Sequence, residues 1–306
     1  MTIASANGID IAYDDRGRLT DPAILLIMGL GTQMIAWPEA FCDDLALRGF
    51  RVVRFDNRDV GLSSKCDVAP PIDLAAVLQR VMTGQKIDPP YELTDMAADA
   101  VGLMDRLAID KAHIVGTSMG GMIAQIIAAK YSNRVRSLVS IMSSSGDPGL
   151  PQAAPAAMKA IMQPRPDGND RELAIQHGMG IYRAIGSPGF PTPDSELRMK
   201  VGAAFDRSYH PAGVGRQFAA ILANGSRVEL LKKLSVPTLV LHGSEDALVP
   251  VEAGRHTAAS IRGASLTIIP GMGHDIANGL IPILVEAIAV HCKKADEHLA
   301  VMEQTK

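Results

Sequence analysis

The chain is poor in several things, and each shortage narrows what it does. It has three cysteines in 306 residues, Cys42, Cys66 and Cys292, far apart and odd in number. That excludes a disulfide framework and gives no metal-ligand spacing. It has no block of basic residues, and its formal net charge is -3. A nucleic-acid partner and a polybasic membrane anchor are therefore not expected. Its longest apolar runs, such as AILLIMGLG and LIPILVEAIAV, are too short to span a bilayer. The start MTIASANGID lacks the basic-then-apolar pattern of a signal peptide, so a cytoplasmic location is expected. There is no internal repeat and no low-complexity stretch. With 47% hydrophobic and 21% charged residues, the chain has the means to build a large core.

Short β-like runs alternate with longer helical patterns, which predicts an α/β fold with a mostly parallel sheet and helices on both faces. The strand candidates are residues 9–15, 23–29, 51–57, 111–116, 137–144, 238–243 and 265–271. Several are near-continuous apolar runs, as expected of strands covered on both sides. Helices are expected from Thr94, as a capping residue, to about Leu107, after Gly120, from about Glu252 to Ile261, and from Ile281 to the tail. From 145 to 234 the pattern changes to helical pieces separated by proline and glycine clusters. This reads as a helical cap inserted into a core formed by 1–144 and 235–306. The cap would emerge on the carboxyl side of the sheet, where open α/β sheets bind ligands.

Gly116-Thr117-Ser118-Met119-Gly120 places a serine between glycines at a predicted strand-to-helix corner. A G-x-S-x-G corner exposes the serine oxygen at the top of the sheet, and Gly116 and Gly120 make room for the turn. The N–H of Met119 would open the following helix, where donors are unpaired and the dipole favours an anion. The second oxyanion donor would be the N–H of Leu30, in the turn Met28-Gly29-Leu30-Gly31.

A serine needs a base, and the chain has eight histidines. His274, in the glycine-rich PGMGHD loop after the last strand candidate, is the candidate. His113 and His242 lie in strands and are expected to pack in the core. His256, His291 and His298 read as surface positions, and His177 and His210 could line a pocket. The base needs a carboxylate partner. Asp246, after the strand TLVLHG, gives the order Ser118, Asp246, His274. Glu245 and Asp147 are rivals, Asp147 because it follows the preceding strand.

Together the stretches ILLIMGLGTQMIAWP, GFRVVRFDNRDVGLSS, AHIVGTSMGGMIAQ, VPTLVLHGSEDALVP and IIPGMGHD resemble the α/β-hydrolase superfamily. The Met-Gly turn, followed by DNRDVGLSS, is similar to the branch that includes aclacinomycin methylesterases. Many members of the superfamily carry His-Gly where this chain has Met28-Gly29. The resemblance implies a serine esterase that works through an acyl-enzyme with no metal or organic cofactor. It also implies a substrate such as a polyketide-type methyl ester or a lactone. Carbon–carbon hydrolases, perhydrolases and acyltransferases use similar residues, and a non-catalytic ligand-binding protein is a further alternative. The DNRDVG segment, Asp56 to Gly61, is expected to be a structural turn held by Asp and Arg hydrogen bonds. Met158, Met162, Met179, Ile181, Tyr182, Met199, Phe205 and Phe218 are candidates to line an apolar pocket, favouring uncharged substrates.

Overall fold

A computed structural model describes residues 2–66, 72, 74–166 and 168–304. Eight strands form one sheet: β1 (Thr2–Ala6), β2 (Ile9–Arg16), β3 (Ala23–Ile27), β4 (Arg51–Phe55), β5 (Ala112–Thr117), β6 (Val135–Ile141), β7 (Thr238–Gly243) and β8 (Ser265–Ile269). Their spatial order is β1-β2-β4-β3-β5-β6-β7-β8. β1 pairs with β2, and β2 with β4, in antiparallel fashion. The remaining pairs are parallel. β1 was not expected from the sequence. At the sheet edge it buries only the small side chains of Ala4 and Ala6 and leaves Ile3 exposed, so its apolar signal is weak.

The central strands are buried throughout, and their period-two alternation builds two cores. Leu25 and Ile27 of β3 face one core, with α3 (Leu93–Arg106) and α4 (Met119–Lys130). Ile24 and Leu26 face the other, with α1 (Glu39–Leu47) and α11 (Ile281–Gln304). A further helix, α2 (Leu74–Met82), escaped the sequence reading. α3 begins one residue before Thr94, and its cap is Glu92, whose N–H donates to Asp95 at 2.7 Å. An acidic pair thus performs the role expected of threonine.

Between β6 and β7 lie α5 (Pro155–Met162), α6 (Arg171–Ile185), α7 (Asp194–Arg207), α8 (Pro211–Asn224) and α9 (Val228–Leu231), with no strand among the described residues. Ile175, Met179 and Leu197 form a small apolar cluster within this segment. Ala220 and Leu231, by contrast, belong to the main core. The two ends of the segment meet at a neck. A Cβ on Gly146 would lie 2.4 Å from the carbonyl of Gly225. Buried Arg227 staples the neck by donating to Ser144 O (2.8 Å), Gly225 O (3.0 Å) and Gln125 Oε1 (3.0 Å). No carboxylate among the described residues offsets it, and burial lowers its pKa to about 10.

The outer side of the segment is fastened by the DNRDVG turn. Asp56 pairs with Arg207 of α7 at 2.8 Å while accepting from the N–H groups of Met34 and Leu62. Asp59 accepts from Arg216 of α8, the N–H of Cys66 and the hydroxyl of Tyr91. The turn is held by Asp and Arg hydrogen bonds, as expected, and it ties the sheet to the helices above it.

Candidate active site

Ile27 at the end of β3 lies beside Gly116 in β5, so the turns after these two strands are neighbours. β4 lies on the other side of β3, and the chain order reverses between β3 and β5. This is the switch point where a crevice opens at the carboxyl ends of the strands.

Ser118 stands at that corner with φ 53° and ψ -120°. A non-glycine residue in this region is strained, and the surroundings enforce it. Its N–H donates to Ile141 O at 2.9 Å, and its carbonyl accepts from Ser143 Oγ at 2.7 Å. The flanking glycines are steric requirements. A Cβ on Gly116 would sit 2.1 Å from Gly120 O, and one on Gly120 would sit 2.1 Å from Ile27 O. Both distances are far inside van der Waals contact, so α4 can pack this closely only on bare backbone.

His274 Nε2 is 3.0 Å from Ser118 Oγ, and His274 Nδ1 is 2.7 Å from Asp246 Oδ2. The other oxygen of Asp246 accepts from the N–H groups of Leu248 (3.0 Å) and Val249 (2.8 Å). Those two bonds fix the carboxylate before the imidazole meets it. The His274 loop is held from the helical segment, where its N–H donates to Ile185 O at 2.7 Å. The rivals lie elsewhere. Asp147 accepts from the N–H of Gly149 in its own turn and stands 4.0 Å from His256. Glu245 meets Ser244.

Gly29 packs against the serine, with its Cβ position 3.2 Å from Ser118 Cβ. The turn carrying Leu30 therefore borders the Ser118 corner, and Met119 is the first residue of α4. The methionine in place of histidine is built into this turn. Met28 is buried, its sulfur accepts from Thr117 Oγ1 at 3.3 Å, and its carbonyl accepts from Asn57 Nδ2 at 2.9 Å.

His113 is core, bonded to Ser137 at 2.8 Å and Asp296 at 3.3 Å, and His242 is core, bonded to Val249 O at 2.7 Å. Burial lowers the pKa of both. One of the three surface assignments needs correction. His291 is half-buried, and burial brings its pKa to about 4. His256, on α10 (Val251–Ala259), stays at the surface with its side chain 36% exposed, and it bonds to Ser145 Oγ at 2.9 Å. The buried thiols of Cys42 and Cys292 are pushed up, by burial, to about 11 and about 12. Among the described residues no group of three or more His, Cys, Asp or Glu is placed to hold a metal ion. No helix among them is long and apolar enough to cross a membrane.

A cavity of about 110 Å³ lies beyond the Leu30 turn, between that turn and helices α6, α7 and α8. Of the expected apolar lining, Phe205 borders it. Met179 is instead packed within the helical segment, and Met158 and Met199 are 36% and 68% exposed. The sequence did not single out Arg165 or Gln33, which also border the cavity, whereas His177 and His210 do line it as suggested.

Residues 22–277 match the family model described as alpha/beta hydrolase fold. The chain is 27% identical over 300 residues to rhodomycin D methylesterase DnrP of Streptomyces peucetius, covering 90% of this chain and 94% of that protein. It is 25% identical over 290 residues to the bifunctional esterase/perhydrolase DCH of Acinetobacter calcoaceticus, covering 90% of this chain and 92% of that one. A meta-cleavage product hydrolase structure from Pseudomonas fluorescens is similar with a TM-score of 0.76 and 20% identity. That match covers 96% of this chain and 98% of the other, and it speaks to fold alone.

Proposed function

Because the chain belongs to the alpha/beta hydrolase fold family, we propose that it is a carboxylic ester hydrolase using Ser118, His274 and Asp246. The observation that carries this reading is the unbroken relay of 3.0 Å and 2.7 Å that ends on a strained serine. Relatives described as a methylesterase and an esterase support ester chemistry. On that basis the substrate is a methyl ester of a larger acid.

His274 Nε2 takes the proton from Ser118 Oγ as the oxygen attacks the ester carbonyl carbon. The carbonyl electrons move onto oxygen, and the N–H groups of Leu30 and Met119 receive that charge. Asp246 keeps the Nδ1–H tautomer of His274 and stabilises the imidazolium. Collapse of the intermediate breaks the bond to the alcohol, which leaves with the proton from His274. Water then adds to the acyl-enzyme with His274 again as base, and the acid departs. Hydrogen peroxide in place of water would give a peracid, a second reading favoured by the esterase/perhydrolase relative. The helical segment 145–234 serves as the cap that encloses the acyl group.

A fluorophosphonate ester with peptide mapping tests the reading. One adduct on Ser118 is expected, absent in Ser118→Ala, together with hydrolysis of 4-nitrophenyl butyrate that Ser118→Ala abolishes. Full hydrolysis by Ser118→Ala would overturn it.

A further inference from the structure

The cavity beyond the Leu30 turn is mostly apolar, with Val201, Phe205 and Val214 in its wall, yet it carries an unmatched cation. Arg165 borders it and makes no hydrogen bond or ion pair with any described residue. Burial pushes its pKa down, and the phenols of Tyr209 and Tyr182 lie near enough to work against that shift. The contrast with its neighbours is sharp. Arg171, Arg183 and Arg198, on the outer surface of α6 and α7, each meet a carboxylate: Asp206, Asp194 and Glu172.

A second polar group on the wall is also unpartnered. His177 Nε2 is buried without a hydrogen-bond partner. Burial and the nearby charge of Arg165 both favour its neutral form. A neutral ring with its proton on Nε2 offers one donor to the cavity. The carboxylate on the wall, Asp59, is already matched by Arg216, Tyr91 and the N–H of Cys66. His210 accepts from Arg216 at 2.8 Å. With Asp59 matched, Arg165 is left as the uncompensated charge on a wall of mixed polar and apolar side chains.

It also adjoins the reacting centre. Gly31 is part of its wall, and Gly29, two residues earlier, packs on Ser118. A Cβ on Gly31 would lie 2.8 Å from Val214 across the cavity, so bare backbone at this turn keeps that space open.

We propose that this cavity is a subsite for a carboxylate on the acyl part of the substrate, remote from the scissile ester, with Arg165 as its counter-ion and His177 as a second donor. The guanidinium fork suits a carboxylate through two parallel bonds, which an ammonium would not reproduce. The preferred substrate is then a half-ester of a dicarboxylic acid rather than a wholly apolar ester. This rests on Ser118 being the nucleophile and on a methyl ester, which leaves the acyl part as the carrier of any remote group.

The test compares 4-nitrophenyl monoesters of straight-chain dicarboxylic acids with alkanoate esters of matching length. At one chain length the wild type should turn over the carboxylate-bearing ester with the higher kcat/KM. Arg165→Met should lower that value about tenfold or more, chiefly through KM. Alkanoate turnover should stay within about twofold, and Arg165→Lys should recover part of the loss. Alkanoate turnover with no carboxylate preference at any length, or an equal loss on both series in Arg165→Met, would overturn the subsite and leave the hydrolase reading standing. Calorimetry of monomethyl dicarboxylates with Ser118→Ala separates the other case. Binding that Arg165→Met weakens about tenfold, beside an intact protein that hydrolyses no ester, would keep the subsite and sink the hydrolase reading.

Discussion

Arg216 grips Asp59 with two hydrogen bonds of 2.8 Å, one from Nε and one from Nη2, across 157 positions of sequence. Both side chains are buried. Burial works against the charge on Asp59, but the bonds from Arg216, Cys66 and Tyr91 outweigh it and hold the carboxyl below its ordinary range. Removing the cation leaves an uncompensated buried charge. Arg216→Leu should therefore destabilise the fold by about 3–5 kcal/mol, measured by urea unfolding. The double variant Asp59→Leu, Arg216→Leu should regain part of that. A single-variant cost below about 1 kcal/mol would show that the pair is worth no more than a surface bridge.

The identity of the triad acid separates two carboxylates. Asp246→Asn should lower kcat on 4-nitrophenyl butyrate by about 10³–10⁴ while leaving the unfolding midpoint near wild type, because the wrong tautomer of His274 would be favoured. Asp147→Asn should change kcat less than about twofold, since Asp147 stands beside His256 and not His274. The reverse ranking would mean that the histidine turns to Asp147 during catalysis.

Stability should fall with acid between the ordinary histidine pKa and the folded value. His291 has its pKa lowered from 6.5 to about 4, chiefly by burial. Its folded pKa lies below its unfolded one, so the unfolded chain binds the proton more readily. The contribution is fully present above pH 6.5 and is lost as pH drops toward 4. His113 and His242 are shifted in the same direction and add to the slope. His291→Leu should flatten unfolding free energy against pH across this window. An unchanged slope would assign the effect to the other two rings.

The strained corner at Ser118 was legible because its signals are local. Gly116, Ser118 and Gly120 lie within five residues, between an apolar strand and an apolar helix, and the clashes that require the glycines involve the same corner. His274 and Asp246 were legible for a related reason, since each follows a strand whose end must lie at the same rim of the sheet. The substrate-facing side was not. Arg165 lies in a proline-rich stretch with no periodicity, and its neighbours Phe205 and Val214 come from other helices. Whether a methionine on α6 or α7 faces cavity, cluster or solvent depends on how those helices rotate against each other. Met179 and Met199 took opposite fates on adjoining helices. His291 was misread because α11 is amphipathic over a long span, and its ring sits near the border of the apolar face.

Arg227 fixes the helical segment where it leaves and rejoins the core, and Asp56 with Asp59 fixes its far side. A beam resting on two abutments does not swing like a door on one hinge. Whatever passes to and from Ser118 must do so while both supports hold, through small adjustments of the helices between them. The same arrangement frees the middle of the span to vary, because its anchorage does not depend on what the span looks like. Changing residues 174–181, short of Ile185 whose carbonyl holds the His274 loop, would then retune what the protein accepts without unseating the relay beneath.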